Sequence, residues 1–298
     1  GYTLVLFQMM APLEVLLNAF PLLSRASVAA KKVDQLGLSL NDDAREREGE
    51  GAAVPGAAWS RLELSGICHT YRRENEDETF QLGPIDLQFA PGELVFIVGG
   101  NGSGKTTLAK LMIGLYGPEA GVVRMDGVPV TDDTREQYRE HFSAVFSDFF
   151  VFEELLGLAG GASELDESAR KYLKHLHLNQ KVKVENGMLS TIELSQGQRK
   201  RLALLTAYLE DRPIYLFDEW AADQDPIFKE IFYLEILPEL RARNKTVFVI
   251  SHDDRYFHVA DRILKLDYGK IASDRKVAEL LDGLEVGASP LLPRTSPA

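Results

Sequence analysis

The chain has 298 residues, a formal net charge of -12, and hydrophobic and charged fractions of 45% and 26%. Its length predicts about two domains, and its composition is that of a globular protein rather than a disordered chain. The single cysteine, Cys68, excludes an internal disulfide framework or a cysteine-rich zinc site and favours a reducing compartment. The acidic excess argues against nucleic acid as a partner, because binding its phosphates requires a concentrated basic face.

Residues 1–33 are mostly apolar but lack the basic start and cleavage site of a signal peptide. Polar residues within the segment disfavour a lone span that faces lipid on all sides. Two interpretations remain open. The segment is either an amphipathic helix that packs on the protein or the last helix of a polytopic membrane domain, with Glu14 and Asn18 facing protein or an internal cavity. Because the chain begins at Gly1 rather than Met, we expect it to be part of a longer protein.

Composition divides the remainder into three parts. Residues 34–58 are charged or small and predict a linker. Residues 59–283 combine strand and helix patterns and predict an α/β domain. Residues 284–298, with three prolines, predict a flexible tail.

Within the α/β domain, strands and helices alternate in a way that predicts a mainly parallel sheet, with an antiparallel sheet formed by the early strands. Asp126-Gly127 predicts a hairpin turn. The predicted strands are Leu62–Leu64, Ile85–Phe89, Glu93–Val98, Val122–Val130, Ile214–Phe217 and Thr246–Ile250. The predicted helices are Lys105–Leu115, Thr134–His141, Glu167–Leu176, Gln196–Leu209 and Ile227–Arg241.

A glycine-rich segment follows the apolar strand Glu93–Val98 and opens a predicted helix. It reads Gly99-Gly100-Asn101-Gly102-Ser103-Gly104-Lys105-Thr106 and matches G-x-x-x-x-G-K-[ST], the P-loop. Its glycines let backbone N–H groups converge on phosphate oxygens at a helix N-terminus. Lys105 is expected to contact the β- and γ-phosphates and Thr106 to bind Mg²⁺. The sequence therefore predicts a site for a nucleotide with Mg²⁺.

Two carboxylates end the apolar strand Ile214–Phe217. Open parallel sheets bind ligands at the carboxyl ends of their strands. We expect Asp218 to hold Mg²⁺ and Glu219 to act as the general base for the attacking water.

A histidine follows the third apolar strand, Thr246–Ile250. At this position the imidazole of His252 is expected to donate a hydrogen bond to the γ-phosphate. The other histidines are expected to be surface or packing residues: His69, His141, His175, His177 and His258.

The segment Leu194-Ser195-Gln196-Gly197-Gln198-Arg199-Lys200-Arg201 resembles the signature motif of ATP-binding cassette (ABC) proteins. The order P-loop, signature motif, Asp-Glu strand and histidine matches that family over about residues 59–282. The resemblance implies a P-loop NTPase core with an antiparallel β-subdomain and a helical subdomain at about 149–205, preceded by the apolar helix. It implies ATP and Mg²⁺ as ligands.

The same resemblance assigns roles by position. Tyr71 is similar to the aromatic residue that stacks on adenine, and Asp225 to the acidic end of the D-loop (Ala221–Asp225). Signature residues would bind the γ-phosphate of ATP held by a second copy, so two head-to-tail copies would enclose two nucleotides. His252 is similar to the switch histidine. The remaining nucleotide-binding residues that the resemblance implies are Gly99, Asn101, Gly102, Ser103, Gly104, Thr107, Ser195, Gly197 and Gln198.

Two stretches depart from the usual family pattern. Ser147 stands where most members have the glutamine that reaches Mg²⁺ or water, so its role is expected to run through a bridging water. The D-loop reads Ala-Ala-Asp-Gln-Asp. Both departures resemble the cyclic-peptide and siderophore exporters of the family, and the stretch 12–18 is similar to pyoverdine-precursor exporters.

The leading hypothesis is thus the ATPase domain of an exporter in the cell inner membrane, on the cytoplasmic side, attached to the transmembrane domain of the same polypeptide. It predicts a second copy of the domain as a partner and no nucleic acid. Two alternatives remain: a stand-alone ATPase subunit of an importer, and a soluble ABC protein that acts on nucleic acid.

Overall fold

The computed structural model describes residues 59–72, 79–155 and 162–282. These residues all lie in one compact unit of the chain. The apolar segment 1–33, the linker 34–58 and the tail 284–298 lie outside the described residues, so what the sequence predicts for them stays a prediction. Over the described ranges, no helix is both long and apolar enough to cross a bilayer.

The described residues form twelve strands and seven α-helices. The strands are β1 (Leu62–Arg72), β2 (Thr79–Phe89), β3 (Leu94–Gly99), β4 (Ala120–Met125), β5 (Val128–Pro129), β6 (Phe142–Val145), β7 (Val184–Glu185), β8 (Met188–Leu189), β9 (Ile214–Asp218), β10 (Thr246–Ile250), β11 (Arg262–Asp267) and β12 (Lys270–Lys276). The helices are α1 (Lys105–Met112), α2 (Arg135–Arg139), α3 (Ala162–His175), α4 (Gln196–Glu210), α5 (Pro226–Ile231), α6 (Leu237–Ala242) and α7 (Val277–Asp282).

A six-stranded sheet organises the domain, in the order β12-β11-β3-β10-β9-β6. Neighbouring strands from β11 to β6 are parallel, and β12 pairs antiparallel with β11 at the edge. The mainly parallel sheet expected from the sequence is confirmed. Because the parallel strands run in one direction, β3, β9, β10 and β6 present their carboxyl ends at the same edge.

Both faces of this sheet are buried, which explains why its central strands are continuous apolar runs. Alternate residues of β3 divide between two cores. Phe96 belongs to the core on the side of α3, α4 and α5, while Ile97 belongs to the core on the side of α1 and the second sheet. Every residue of β9 and β10 is buried.

The second sheet has four antiparallel strands in the order β2-β1-β4-β5, as the early alternating pattern predicts. Asp126 and Gly127 form the turn between β4 and β5 with φ angles of 53° and 81°. Positive φ at both central residues is what a two-residue hairpin requires. The predicted hairpin is therefore confirmed.

The helices follow the sequence less closely than the buried strands. The predicted helix Thr134–His141 ends at Arg139, because the chain then enters β6, a four-residue strand whose pattern is too short to recognise. The predicted helix Ile227–Arg241 is interrupted by a π-helical segment, Phe232–Ile236, between α5 and α6. Strands β11 and β12 were not predicted.

Candidate nucleotide and magnesium site

The P-loop joins β3 to α1, and its shape depends on glycine. Gly99, Gly102 and Gly104 have φ angles of 152°, 76° and 99°, which residues with a Cβ rarely adopt. A Cβ on Gly99 would lie 2.3 Å from the carbonyl oxygen of Leu266. The loop is thus a close-packed backbone turn that leads directly into the N-terminus of α1, where N–H groups lack helical partners.

Lys105, the first residue of α1, is a buried cation at the centre of the loop. Its Nζ donates hydrogen bonds to the carbonyl oxygens of Gly99 and Gly100, at 3.1 and 3.0 Å. Burial lowers the pKa of Lys105, against the opposing effect of the Glu219 and Asp218 charges. The loop therefore holds a cation whose acidic neighbours, Asp218 and Glu219, lie at the carboxyl end of β9.

The other predicted P-loop residues differ in exposure. Asn101 and Gly102 are exposed, and Thr107 is half-buried on α1. Among the described residues, the buried Oγ of Ser103 has no hydrogen-bond partner. A buried hydroxyl without a partner in a phosphate loop fits a ligand that brings oxygen atoms.

Thr106 and Asp218 bring two oxygen donors together between α1 and β9. The Thr106 hydroxyl donates to Asp218 Oδ2 at 3.0 Å, while Oδ1 of this buried carboxylate has no partner. Burial raises the pKa of Asp218, and the nearby Glu219 charge adds to this rise, against the hydrogen bond from Thr106. A hydroxyl beside a carboxylate with a free oxygen is a donor set that fits Mg²⁺.

Glu219 and His252 meet at the carboxyl ends of β9 and β10. The Oε1 of Glu219 lies 3.1 Å from His252 Nε2, and both side chains are partly exposed. The backbone of Glu219 is left-handed, with φ 50°, and its N–H donates to the carbonyl oxygen of Ile250 at 3.1 Å. The pair lines a cavity of 340 Å³. A carboxylate oriented by an imidazole at this edge can accept a proton from a bound water.

Two predicted residues lie near this centre without bonding to it. Tyr71 is about half exposed on β1, directly opposite Phe80 of β2. A Cβ on Gly104 would lie 3.2 Å from the Phe80 ring, so this part of β2 adjoins the P-loop. Ser147 is exposed two residues beyond β6, at the same sheet edge as Glu219.

The signature motif begins α4 with a capping box. Ser195 Oγ accepts from the N–H of Gln198, and the Gln198 side chain accepts from the N–H of Ser195, both at 3.4 Å. Ser195 is exposed, so the helix N-terminus that it caps is open to a ligand. Within the described ranges, no hydrogen bond or ion pair joins these residues to the P-loop of the same chain.

The end of the D-loop is tied to α4. Asp225 caps α5 by accepting from the N–H of Phe228 at 2.9 Å, and it forms an ion pair with Arg201. The hydrogen bond from Phe228 and the Arg201 charge hold the pKa of Asp225 below its usual range. Both of its carboxylate oxygens are thus engaged within the chain.

Sequence reasoning missed the side chains that join the signature motif to the D-loop. Gln224 is buried, donates to the Gly197 carbonyl at 3.0 Å and accepts from Arg201 at 3.0 Å. Lys200 is buried and forms an ion pair with Asp223 at 2.7 Å. The available sequence signal was that Asp223 departs from the usual D-loop pattern.

Known proteins resemble this chain in sequence and in fold. Residues 82–222 match the family model described as ABC transporter. The ATP-binding protein SyrD of Pseudomonas syringae pv. syringae is 48% identical over 281 residues, which cover 92% of this chain and 50% of that protein. The ATP-dependent lipid A-core flippase of Burkholderia thailandensis is 29% identical over 290 residues, 95% of this chain and 47% of that protein. The chain thus spans about half the length of these curated relatives.

Among solved structures, a dimeric post-hydrolysis state of the ATP-binding cassette MJ0796 bound to ADP and Pi has a TM-score of 0.62 and 25% identity. The likeness covers 72% of this chain and 98% of that one.

Proposed function

The chain carries the ATP-binding domain of an ABC transporter, and we propose that this domain hydrolyses ATP to power an exporter in the inner membrane. One observation carries the ATPase part. The Thr106–Asp218 pair and the Glu219–His252 pair meet at one edge of the sheet, beside the buried Lys105.

Nucleotide binding is assigned to the P-loop. Its N–H groups and Lys105 Nζ bind the β- and γ-phosphates, and Tyr71 stacks on the adenine. Thr106 and Asp218 hold Mg²⁺, with Ser147 contributing through a water. When bound, Mg²⁺ neutralises charge on the phosphate oxygens.

The hydrolytic step is assigned to Glu219. Its carboxylate accepts a proton from water as the water oxygen bonds to the γ-phosphorus and the bond to the ADP oxygen breaks. In this proposal His252 Nε2 orients the carboxylate through the 3.1 Å contact before ATP binds, and it donates to the γ-phosphate instead once that phosphate is in place.

A second copy of the domain completes the site in this proposal. Ser195, Gly197 and Gln198 of one copy bind the γ-phosphate held by the P-loop of the other, and Asp225 lies at the joint between the two. The exposed N-terminus of α4 supports this arrangement, since it is an anion-binding end. The dimeric state of the similar cassette MJ0796 supports it as well.

The exporter assignment rests on residues 1–58. A match to SyrD over 92% of the chain exceeds what residues 59–298 alone supply, so the match includes part of that stretch. An importer subunit that begins at the first strand would have no counterpart to it. We therefore propose that residues 1–33 are the last helix of a transmembrane domain, and that the ATPase domain faces the cytoplasm.

The proposed cargo is a peptide or siderophore precursor. Support comes from Ser147 and from the D-loop sequence, both of which resemble the exporters of such compounds. The cargo test is the ATPase rate of the full-length exporter in lipid vesicles, with candidate cyclic peptides and siderophore precursors added. Stimulation by these compounds and not by lipid A is expected. Stimulation by lipid A alone would contradict the cargo assignment.

The ATPase test is Glu219→Gln in the 298-residue chain. Because the amide cannot accept a proton, Mg-dependent phosphate release is expected to fall by about 100-fold or more. ATP binding should persist, since the P-loop is unchanged, and ATP should now favour a dimer. Glu235→Gln makes the same chemical change at an exposed position and should leave the rate unaltered. An equal rate in Glu219→Gln and wild type would remove Glu219 from the mechanism.

A further inference from the structure

Lys200 is a buried cation that the reaction described above does not use. It lies on α4, five residues after Ser195, and its side chain is 2% exposed. Its Nζ donates to the main-chain carbonyl of Glu219 at 3.1 Å and to Asp223 Oδ2 at 2.7 Å. A buried lysine is costly unless it is paired, and here both contacts fall on Glu219 and the short 3₁₀ helix that follows it, Trp220–Asp223.

The backbone of Glu219 is held from two sides by these contacts. Its N–H donates to Ile250 on β10, and its carbonyl accepts from Lys200 on α4. The left-handed φ of 50° is unfavourable for glutamate and persists only where the surroundings fix it. Lys200 supplies one of those constraints at the residue whose carboxylate meets His252.

Lys200 is itself held in place by the same loop. The indole Nε1 of Trp220 donates to the carbonyl of Lys200 at 2.9 Å, and Trp220 is buried. The side chain of Lys200 thus bonds to the main chain of Glu219, and the side chain of Trp220 bonds to the main chain of Lys200. Asp223 also accepts from the Gln196 side chain at 3.2 Å.

We propose that Lys200 is a positioning residue for ATP hydrolysis, which fixes the Glu219 backbone so that its carboxylate reaches the attacking water. The inference rests on the proposed function of Glu219. The hydrogen bond to the Glu219 carbonyl carries the effect, and the ion pair with Asp223 keeps the lysine in place. ATP binding by the P-loop is not involved, because Lys200 has no hydrogen bond or ion pair with the P-loop in the part of the chain that the structure describes.

The test compares two neutral replacements in the 298-residue chain. Lys200→Met has a similar length but no donor, whereas the amide of Lys200→Gln can still donate to the Glu219 carbonyl. We expect kcat to fall about tenfold or more in Lys200→Met and to stay within about threefold of wild type in Lys200→Gln. The KM for ATP should stay within about twofold in both variants. Lys171→Met, on the exposed surface of α3, controls for the loss of a lysine.

A purely structural role predicts a different pattern. Both variants lose the charge partner of Asp223, so both would lose thermal stability and activity together. Equal kcat in Met and Gln variants, or wild-type kcat in Lys200→Met, would overturn the inference. Should Lys200→Met not fold, the double variant Lys200→Met/Asp223→Leu removes the unpaired charge. It must then recover the melting temperature without recovering kcat. Failure of the proposed function would be distinct, because the wild-type chain would then release no phosphate.

Discussion

The P-loop and the signature motif each lead into a helix N-terminus that we propose as a phosphate site, but they are held in different ways. The P-loop is fixed by its own backbone, through three glycines with positive φ and the close approach of Gly99 to the Leu266 carbonyl. The signature motif is fixed by side chains of a distant segment, with Gln224 on Gly197 and Arg201. A loop that is held by its own backbone requires particular residue types at set spacing. A loop that is held by side chains requires only that the interacting side chains match each other.

The largest effect is expected from a substitution that disrupts the backbone of the P-loop. Gly99→Ala forces a Cβ to within 2.3 Å of the Leu266 carbonyl and strains a positive φ, so we expect a loss of about 2–6 kcal/mol in unfolding free energy. Gly100→Ala is the matched control, since nothing lies within 4 Å of its Cβ position. Urea unfolding measures both. Similar midpoints for the two variants would show that the loop yields easily.

A smaller effect is expected from a substitution that removes the side-chain contacts to the signature motif. Gln224→Leu removes the partner of Gly197 and Arg201 inside a buried contact, which costs about 1–3 kcal/mol. Gln137→Leu, at an exposed position of α2, should change the free energy of unfolding by less than about 0.5 kcal/mol. Urea unfolding compares them, and an undiminished midpoint for Gln224→Leu would mean that water replaces its bonds.

The cap at the end of the D-loop has a still smaller expected effect. Asp225→Ala removes the acceptor for the Phe228 N–H and should cost about 1 kcal/mol. Asp225→Asn keeps a capping oxygen and loses only the charge that faces Arg201, so it should lose less. Melting curves at neutral pH rank the three proteins. An equal loss in the two variants would assign the stability to the ion pair instead, because both substitutions remove the charge that faces Arg201.

The smallest expected effect is a change in the pH dependence of stability, and it concerns Asp218. Burial raises the pKa of this carboxyl, so the folded chain binds its proton at a higher pH than the unfolded chain does. The contribution of Asp218 to stability should therefore rise as pH falls from neutral towards the ordinary pKa of aspartate. Asp218→Asn should remove this contribution and be more stable than wild type at neutral pH without Mg²⁺. Urea unfolding across that pH range compares the two proteins, and a steeper rise in the variant would contradict the sign.

The sequence predicted what local chemistry determines. Because strands β9 and β10 are fully buried, they are continuous apolar runs that can be recognised in the sequence. The candidates Asp218, Glu219 and His252 were then located at the ends of these strands. Strand β12, by contrast, reads Lys-Ile-Ala-Ser-Asp-Arg-Lys and is mostly exposed at the sheet edge. No apolar pattern marks it, because it pairs only with β11.

The contacts around Lys200 escaped prediction for another reason. Lys200 and Asp223 lie 23 positions apart, and no motif spacing by itself assigns a role to either residue. A lysine in a polar helix start is ordinarily a solvated residue. Here the chain folds back on α4 instead, with Trp220 bonded to the Lys200 carbonyl and Phe228 packed on the neighbouring Arg201.

The π-helical segment sets the register of the long helical stretch from Pro226 to Ala242. The buried residues Phe228, Phe232, Ile236 and Leu240 recur every fourth residue. In a regular α-helix, residues at this spacing would drift around the helix axis. The wider π-helical turn keeps them on one side of the helix. The same turn brings the Tyr233 hydroxyl 2.6 Å from Ser251, next to His252. A one-codon deletion in this segment would rotate the following half of the helix by about 100°. Substitutions in this segment should therefore be tolerated far more easily than the deletion of a residue.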